Sequence, residues 1–328
     1  MGQASPCLPQ PFQEAILMKN DLQFGIYHTA YEKIGNEFFD LVSSDFINCI
    51  HVESNYGSPD FEVTMNKIKE LDSVTAWIAV GSLGFSIKNE ATIADNGEKE
   101  NSFNPIATLL PDYKERVDAF IAYLKEKGYY EHVCGFYMDE PLLWNITNDM
   151  LEEYSRYFRT VVAKDKRFFV CFSVAGICPE VWTINDVKPI TPKSTQYLTD
   201  IAFDMYHPWN SDYEKCLKSM LEKAGNREDL RLWMIPCVMN YRGNYKEEDA
   251  LDHLEHCYEI LKSYPNPGGL MCYTYYTFPS DLEALGNVGL GDLDDEHTSP
   301  NWPHQNYWPR LLKRVKEIGK EIVNHNQE

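Results

Sequence analysis

The sequence predicts an α/β chain folded as a (β/α)8 TIM barrel, a single domain with long strand-to-helix loops, and three observations carry the prediction. Short apolar and aromatic runs recur along the chain and alternate with amphipathic stretches of helical period. The runs are nearly continuous in apolar residues, as parallel strands covered by helices on both faces are. The excess length between them falls on the strand-to-helix side, where this barrel builds its active face. At 328 residues and 44% hydrophobic content, the chain can bury a large core.

The strand candidates, in order, are "LQFGIYH" (Leu22–His28), "FINCIHV" (Phe46–Val52), "VTAWIAV" (Val74–Val80), "VCGFYM" (Val133–Met138), "FFVCFSV" (Phe168–Val174), "IAFDMY" (Ile201–Tyr206), "LRLWMIP" (Leu230–Pro236) and "GLMCYTYY" (Gly269–Tyr276). Each is rich in residues that favour a pleated, buried surface. Between them, "DYKERVDAFIAYLKEKG" places Val117, Phe120, Ile121 and Leu124 on one stripe and stops at Gly128, a C′ glycine. "NDMLEEYSRYFRTVVA" is a helix with Thr147 or Asn148 as its cap. "EEDALDHLEHCYEILKSY" carries the stripe Leu251, Leu254, Tyr258 and Leu261, and "YWPRLLKRVKEIGKEIV" forms the last helix. The open doubly wound sheet is the competing fold. It usually has a Gly-rich turn after its first strand, whereas this chain reads "GIYHTAYEKIG". Residues 1–21 read as an N-terminal extension and 22–328 as the barrel domain.

Long segments follow the third, fifth and eighth strands: Gly81–Pro111, Ala175–Ser194 and Thr277–Asn306. Loops of that length wall a cleft suited to an extended substrate. The net charge is −20, from 50 acidic and 30 basic residues. So acidic a chain repels phosphate backbones and anionic lipids, which argues against nucleic acid and membrane partners. No apolar run is long enough to span a bilayer. Nine Cys are present without CxxC spacing, and Cys49, Cys134, Cys171, Cys237 and Cys272 lie in apolar segments. They read as buried free thiols, which favours a reducing, cytoplasmic compartment; a trimmed signal peptide would instead mean secretion. No GxSxG, Walker or HExxH motif occurs, and no cofactor is expected. "GDLDDEH" at Gly291 fails the calcium-loop spacing and reads as a solvated loop.

The fourth strand ends in "GFYMDEP", placing Asp139, Glu140 and Pro141 at the barrel mouth. Pro141 has no N–H to extend the ladder, and it biases Glu140 toward extended geometry. Neighbouring strand residues point to opposite sides, so Asp139 and Glu140 share one spot only if the strand bends. One acid is expected to face the cleft and the other to support it.

This stretch resembles the acid-bearing strand of TIM-barrel glycoside hydrolases, several families of which read aromatic-x-Asp-Glu-Pro there. The resemblance to the broad clan A is distant. Asp139 stands where clan A has Asn, and the seventh strand reads "MIPCVMNYRGNY" in place of a nucleophilic Glu. The resemblance implies that Glu140 is the general acid/base and that the substrate is a carbohydrate.

Glycoside cleavage needs a second carboxylate. The candidates at strand ends are Asp204 in "AFDMYHPW", Glu53 in "IHVESNY", and Asp139 itself. Asp204 lies near Tyr206, His207 and Trp209, groups able to stack on a sugar and hydrogen-bond to it. Tyr27, His28, His51, Trp77, Asn240, Tyr241, Tyr273, Tyr275 and Tyr276 complete the set expected on the same face. Two alternatives remain open from the residues. Glu53, Glu140, Asp204 and His207 are a donor set for a divalent-metal sugar isomerase or epimerase. The missing seventh-strand Glu fits a barrel that binds carbohydrate without cleaving it.

Overall fold

In the computed structural model of the chain, residues 22–27, 40–53, 55–71, 73–89, 92–93, 99–100, 105–184, 187–206, 211–241, 245–277, 286–293 and 308–325 are described. Twelve strands occur among them. They are β1 (Gln23–Ile26), β2 (Cys49–Val52), β3 (Thr75–Ala79), β4 (Phe85–Asn89), β5 (Thr92–Ile93), β6 (Lys99–Glu100), β7 (Pro105–Leu109), β8 (Val133–Asp139), β9 (Arg167–Ser173), β10 (Asp200–Asp204), β11 (Arg231–Met234) and β12 (Pro267–Cys272). Eight of them close a barrel in the order β1-β12-β11-β10-β9-β8-β3-β2. Every pairing in it is parallel. Each barrel strand lies within or beside one of the eight apolar runs. The proposed N-terminal extension lies outside the described residues.

The helices bury the stripes their spacing sets. Helix Tyr113–Glu126 buries Tyr113, Val117, Phe120, Ile121 and Leu124, and Gly128 behind it adopts φ +67°, the left-handed stop that a Cβ would strain. Thr147 caps helix Asn148–Tyr157, its side chain accepting from Met150 N at 3.2 Å. In helix Glu247–Ser263 the buried face is Ala250, His253, Leu254, Cys257, Tyr258 and Leu261. Leu251 only edges that core, a correction to the expected stripe. The last helix, Pro309–His325, buries Leu311, Leu312, Val315, Ile318 and Ile322.

Two segments depart from the expected plan. After β9 the stretch Ala175–Ser194, expected to be loop, opens with a single helical turn, Val174–Ile177, that goes no further. Pro179, Pro189 and Pro192 explain this, since each removes a helical N–H donor. The stretch Gly81–Pro111, expected to be loop, contains a helical turn at Gly81–Gly84 and two antiparallel pairs, β4 with β7 and β5 with β6.

The barrel interior is an aromatic plug. Trp77 and Trp233 are fully buried and meet edge to face at 5.5 Å, and Phe169 stacks on Trp233 at 5.1 Å. Gly135 and Gly268 make room for the indoles, because a Cβ at either would lie 2.3 Å from a Trp ring atom. Beside the plug, Arg167 pairs with the fully buried Asp200, its Nε 2.9 Å from Oδ2. All eight described cysteines are free, and all but Cys134 are buried.

One buried group sets an acid limit on stability. His253 is 3% exposed, and its Nδ1 accepts from Cys237 N at 3.2 Å. Burial, then the neighbouring His256, push its pKa down to about 3. The unfolded chain therefore binds this proton first, and stability is lost as pH falls from about 6.5 toward 3. At pH 5 the expected loss is roughly 2 kcal/mol relative to pH 7. Urea unfolding at both pH values checks it: the gap between them should shrink by about that much in His253→Asn.

Candidate active site

The barrel strands end together on one rim, and β8 and β10 end there in acids. Asp139 lies opposite Cys171, and Asp204 opposite Ser173, so β9 alone separates the two carboxylate-bearing strands. Glu140 N continues the ladder by donating to Cys171 O at 2.9 Å. The chain then turns. Glu140 adopts φ +39°, and Leu143 N and Ile146 N close a tight turn onto Glu140 O (2.9 Å) and Pro141 O (3.0 Å).

The expectation that Pro141 holds Glu140 extended is thereby overturned. The left-handed backbone costs a non-glycine residue about 1–2 kcal/mol. That break in the extended geometry is the bend that lets both adjacent acids face one spot. Glu140 hydrogen-bonds Asp204, and the charges of Asp139 and Asp204 both act on it. Asp204 feels Asp139 in turn.

Electrostatics distinguishes the members of this cluster. Burial pushes the Glu140 carboxyl far above the usual range, and the charges of Asp204 and Asp139 and the hydrogen bond to Asp204 add to it. Asp204 is also raised, by burial and then by Asp139, while hydrogen bonds from Tyr206 and Glu140 hold it back. The two acids titrate together, and Glu140 is the one that burial and its acid neighbours most favour in the protonated form. Oδ1 of Asp204 is buried and has no hydrogen-bond partner among the described residues. Asp139 is exposed, and Glu140 and Asp204 are partly exposed, so all three are reachable through the mouth.

Rings form the floor and one wall. Tyr27 stacks on His51 (5.1 Å, 5° between planes), and Tyr137 stands edge-on to His51 at 4.8 Å and to Tyr27 at 5.5 Å. Tyr273 is edge-on to Tyr27 at 5.5 Å and stacks on Tyr206 at 5.0 Å. Tyr241 follows at 6.0 Å from Tyr206, and Tyr245 donates its O–H to Tyr206 O. Tyr206, Tyr241 and Tyr273 keep partial exposure.

The sequence-predicted residues are thus brought together unequally. Asp139, Glu140, Asp204, Tyr206, Tyr27 and His51 converge. Glu53 stands half-buried at the end of β2. Trp77, expected to face substrate, lies inside the barrel with Nε1 donating to Gln23 Oε1 at 2.9 Å. It sits two residues short of the end of β3, within the core layer. Asn240 is fully buried, its backbone paired with Val288 and its Oδ1 accepting from Tyr245 N at 3.2 Å. It shapes a loop and does not face the mouth. Tyr275 lines a separate cleft with Asp40, Tyr276 and Lys316, which none of the three acids reaches. His28, His207 and Trp209 lie outside the described residues, as does most of "GDLDDEH"; its Gly291 and Leu293 are buried, against the expected solvated loop.

Sequence reasoning missed Tyr137 and Cys171. Both sit two or fewer positions from a rim acid on an inward face, and the period-two alternation of β8 would have found Tyr137 from Asp139. Among the described residues, no group of three His, Cys, Asp or Glu side chains has a metal-holding arrangement. No helix among them is long and apolar enough to cross a membrane.

No protein-family model matches the chain, and no curated protein is significantly similar to it. Solved structures similar to it include a chitinase from Bacteroides thetaiotaomicron, 14% identical, covering 86% of this chain and 100% of that one, with TM-score 0.48. An endo-1,4-beta-xylanase from Caldicellulosiruptor owensensis is 11% identical over 83% of this chain and 90% of that one, with TM-score 0.49. The beta-mannanase of Thermomonospora fusca in its mannotriose complex is 14% identical over 93% and 94%, with TM-score 0.49. At such identities and TM-scores no assignment is drawn from the likeness; the barrel rests on its own strand pairings.

Proposed function

We propose that this chain is a glycoside hydrolase that cleaves an oligo- or polysaccharide by carboxylate acid/base catalysis. The feature that carries the reading is the Glu140–Asp204 contact at an open barrel mouth, where burial and the neighbouring acids favour a protonated Glu140. A carboxyl kept protonated at neutral pH is what a leaving glycosidic oxygen requires. Asp204 raises Glu140 by its charge and its hydrogen bond. The two are in hydrogen-bond contact. In this reading Asp204 keeps Glu140 protonated, and Asp139, the exposed member of the cluster, takes the second role.

In this mechanism Glu140 delivers its proton to the glycosidic oxygen as the C–O bond breaks. Asp139 either attacks the anomeric carbon or takes a proton from the attacking water. In the first case Glu140 takes a proton from the water that cleaves the glycosyl ester; in the second Asp139 holds the water's proton, and exchange with solvent resets both acids. Tyr206, Tyr241 and Tyr273 offer ring faces and edges to the sugar.

Hydrolysis of a panel of aryl glycosides and glycans tests the reading, with wild type beside Asp204→Asn. Removing the Asp204 charge lowers the Glu140 pKa, so the basic limb of kcat/KM should move to lower pH. The rate at neutral pH should fall by about ten- to a hundredfold. A wild type inert on every sugar it binds, or a variant with an unchanged basic limb, overturns the assignment.

A further inference from the structure

We propose that Tyr137 and Tyr27 are positioning residues, a directed hydrogen-bond relay that holds Asp139 in its working orientation from beneath. Asp139 is the most exposed of the three acids. A hydrogen bond from beneath restricts the rotation of an exposed aspartate on a strand end. Tyr137, two residues earlier on the same inward face, donates its hydroxyl to Asp139 Oδ1 at 2.9 Å. The Tyr137 hydroxyl in turn contacts the Tyr27 hydroxyl.

The direction of the relay follows from counting protons. A phenol has one O–H to give. Tyr137 commits its own to the carboxylate, so Tyr27 must donate to Tyr137. Each donor polarises the next, which strengthens the bond that reaches Asp139. Both phenols are buried, Tyr137 at 1% and Tyr27 at 3% exposure. Burying a hydroxyl is unfavourable unless it is bonded, so their hydroxyls are held to this path.

The rings cannot swing away. His51 on β2 stacks on Tyr27 and meets Tyr137 edge-on, and Tyr273 closes Tyr27 from the other side. Phe169 on β9 packs on Tyr137 at 5.1 Å. The titratable groups facing the Tyr137–Asp139 bond are His51, Cys171, Glu140, Asp204, Tyr27 and Tyr206. Among the described residues none of these is a lysine or arginine. The Tyr137 hydroxyl favours Asp139 as an acceptor in this crowd of acids. Tyr27 belongs to this floor and not to the substrate-binding set expected from the sequence.

The proposal rests on the reading of Asp139 as the second carboxylate, and its test has one arm that needs no substrate. In protein labelled with 13C at the tyrosine ζ-carbon, the Tyr137 resonance should shift in Asp139→Asn and in Tyr27→Phe. An unchanged resonance in Asp139→Asn overturns the relay whatever the enzyme's substrate. The second arm reads catalysis. Tyr137→Phe should lower kcat by about ten- to a hundredfold, leave KM within about twofold, and move the acidic limb of the rate profile to higher pH. Tyr27→Phe should do the same more weakly, and the double variant should be no worse than Tyr137→Phe, because the relay is already cut. A shifted resonance with wild-type kcat and pH profile in Tyr137→Phe removes the positioning role. If Tyr137→Phe does not fold, Tyr27→Phe carries both arms.

Discussion

Glu140→Gln is expected to fold as the wild type does and to lose turnover by about 10²–10⁴ in kcat/KM, the range for removing a general acid. The two halves of this result have one cause. At neutral pH Glu140 already carries its proton, because burial and two neighbouring acids keep it there. Glutamine is close in shape and still donates to Asp204, so the native packing changes little. What it lacks is a proton to release. The loss should be smaller for aryl glycosides with acidic phenol leaving groups, which depart without full protonation. Activity across leaving groups of graded pKa, with thermal unfolding of both proteins, makes the check. Equal rates in the two proteins remove Glu140 from the chemistry, and an unfolded variant places it in the core instead.

The barrel was legible because its strands are read by a coarse property. A strand covered on both faces is apolar throughout, and no side-chain detail is needed to see β1, β8 or β12 in that pattern. The site was legible only in part. Asp139, Glu140 and Asp204 announce themselves as acids at the ends of apolar runs. Which way each points depends on one backbone angle. The proline rule gives Glu140 an extended backbone, and the structure gives it φ +39°. The rule is a local preference of a few kcal/mol at most, and the tight turn Glu140–Ile146 with its pairing to Asp204 outweighs it. Trp77 failed for a different reason. A strand of five residues carries inward positions at several depths, and sequence alone does not say which depth is the rim. Trp77 lies in the plug, and Ala79 occupies the next inward position above it. Asn240 looked like a rim polar group because its segment ends an apolar run, yet its role is to tie down Tyr245.

Beside the aromatic plug, Arg167→Met should destabilise the protein by about 3–5 kcal/mol, the cost of leaving a buried charge without its partner. Asp200 is fully buried, while the Arg167 side chain is 17% exposed. Burial pushes the Asp200 carboxyl up, and the Arg167 charge and hydrogen bonds, with Thr199 and Arg231, more than offset this and hold it below its usual value. Trp233 Nε1 donates to Oδ1 at 2.7 Å and Thr199 Oγ1 to Oδ2 at 2.6 Å, so every lone pair in use belongs to the ionised form. Without Arg167 that form keeps hydrogen bonds but loses the larger of its counter-charges, Arg231 supplying the smaller. The guanidinium also lies over the Trp77 ring at 4.9 Å, a contact that methionine keeps only in part. The sign with pH follows from the lowered carboxyl. Its contribution is complete above about pH 4 and is lost as pH falls through the folded value, so wild type and variant should converge in acid. Urea unfolding at pH 7 and along a series descending below pH 4 reads both effects. The double variant Arg167→Met/Asp200→Leu should recover much of the loss at pH 7, because it removes the orphaned charge along with its partner. If the single variant is as stable as wild type, solvent reaches Asp200 through the barrel floor, and the pair is not the sealed contact its burial implies.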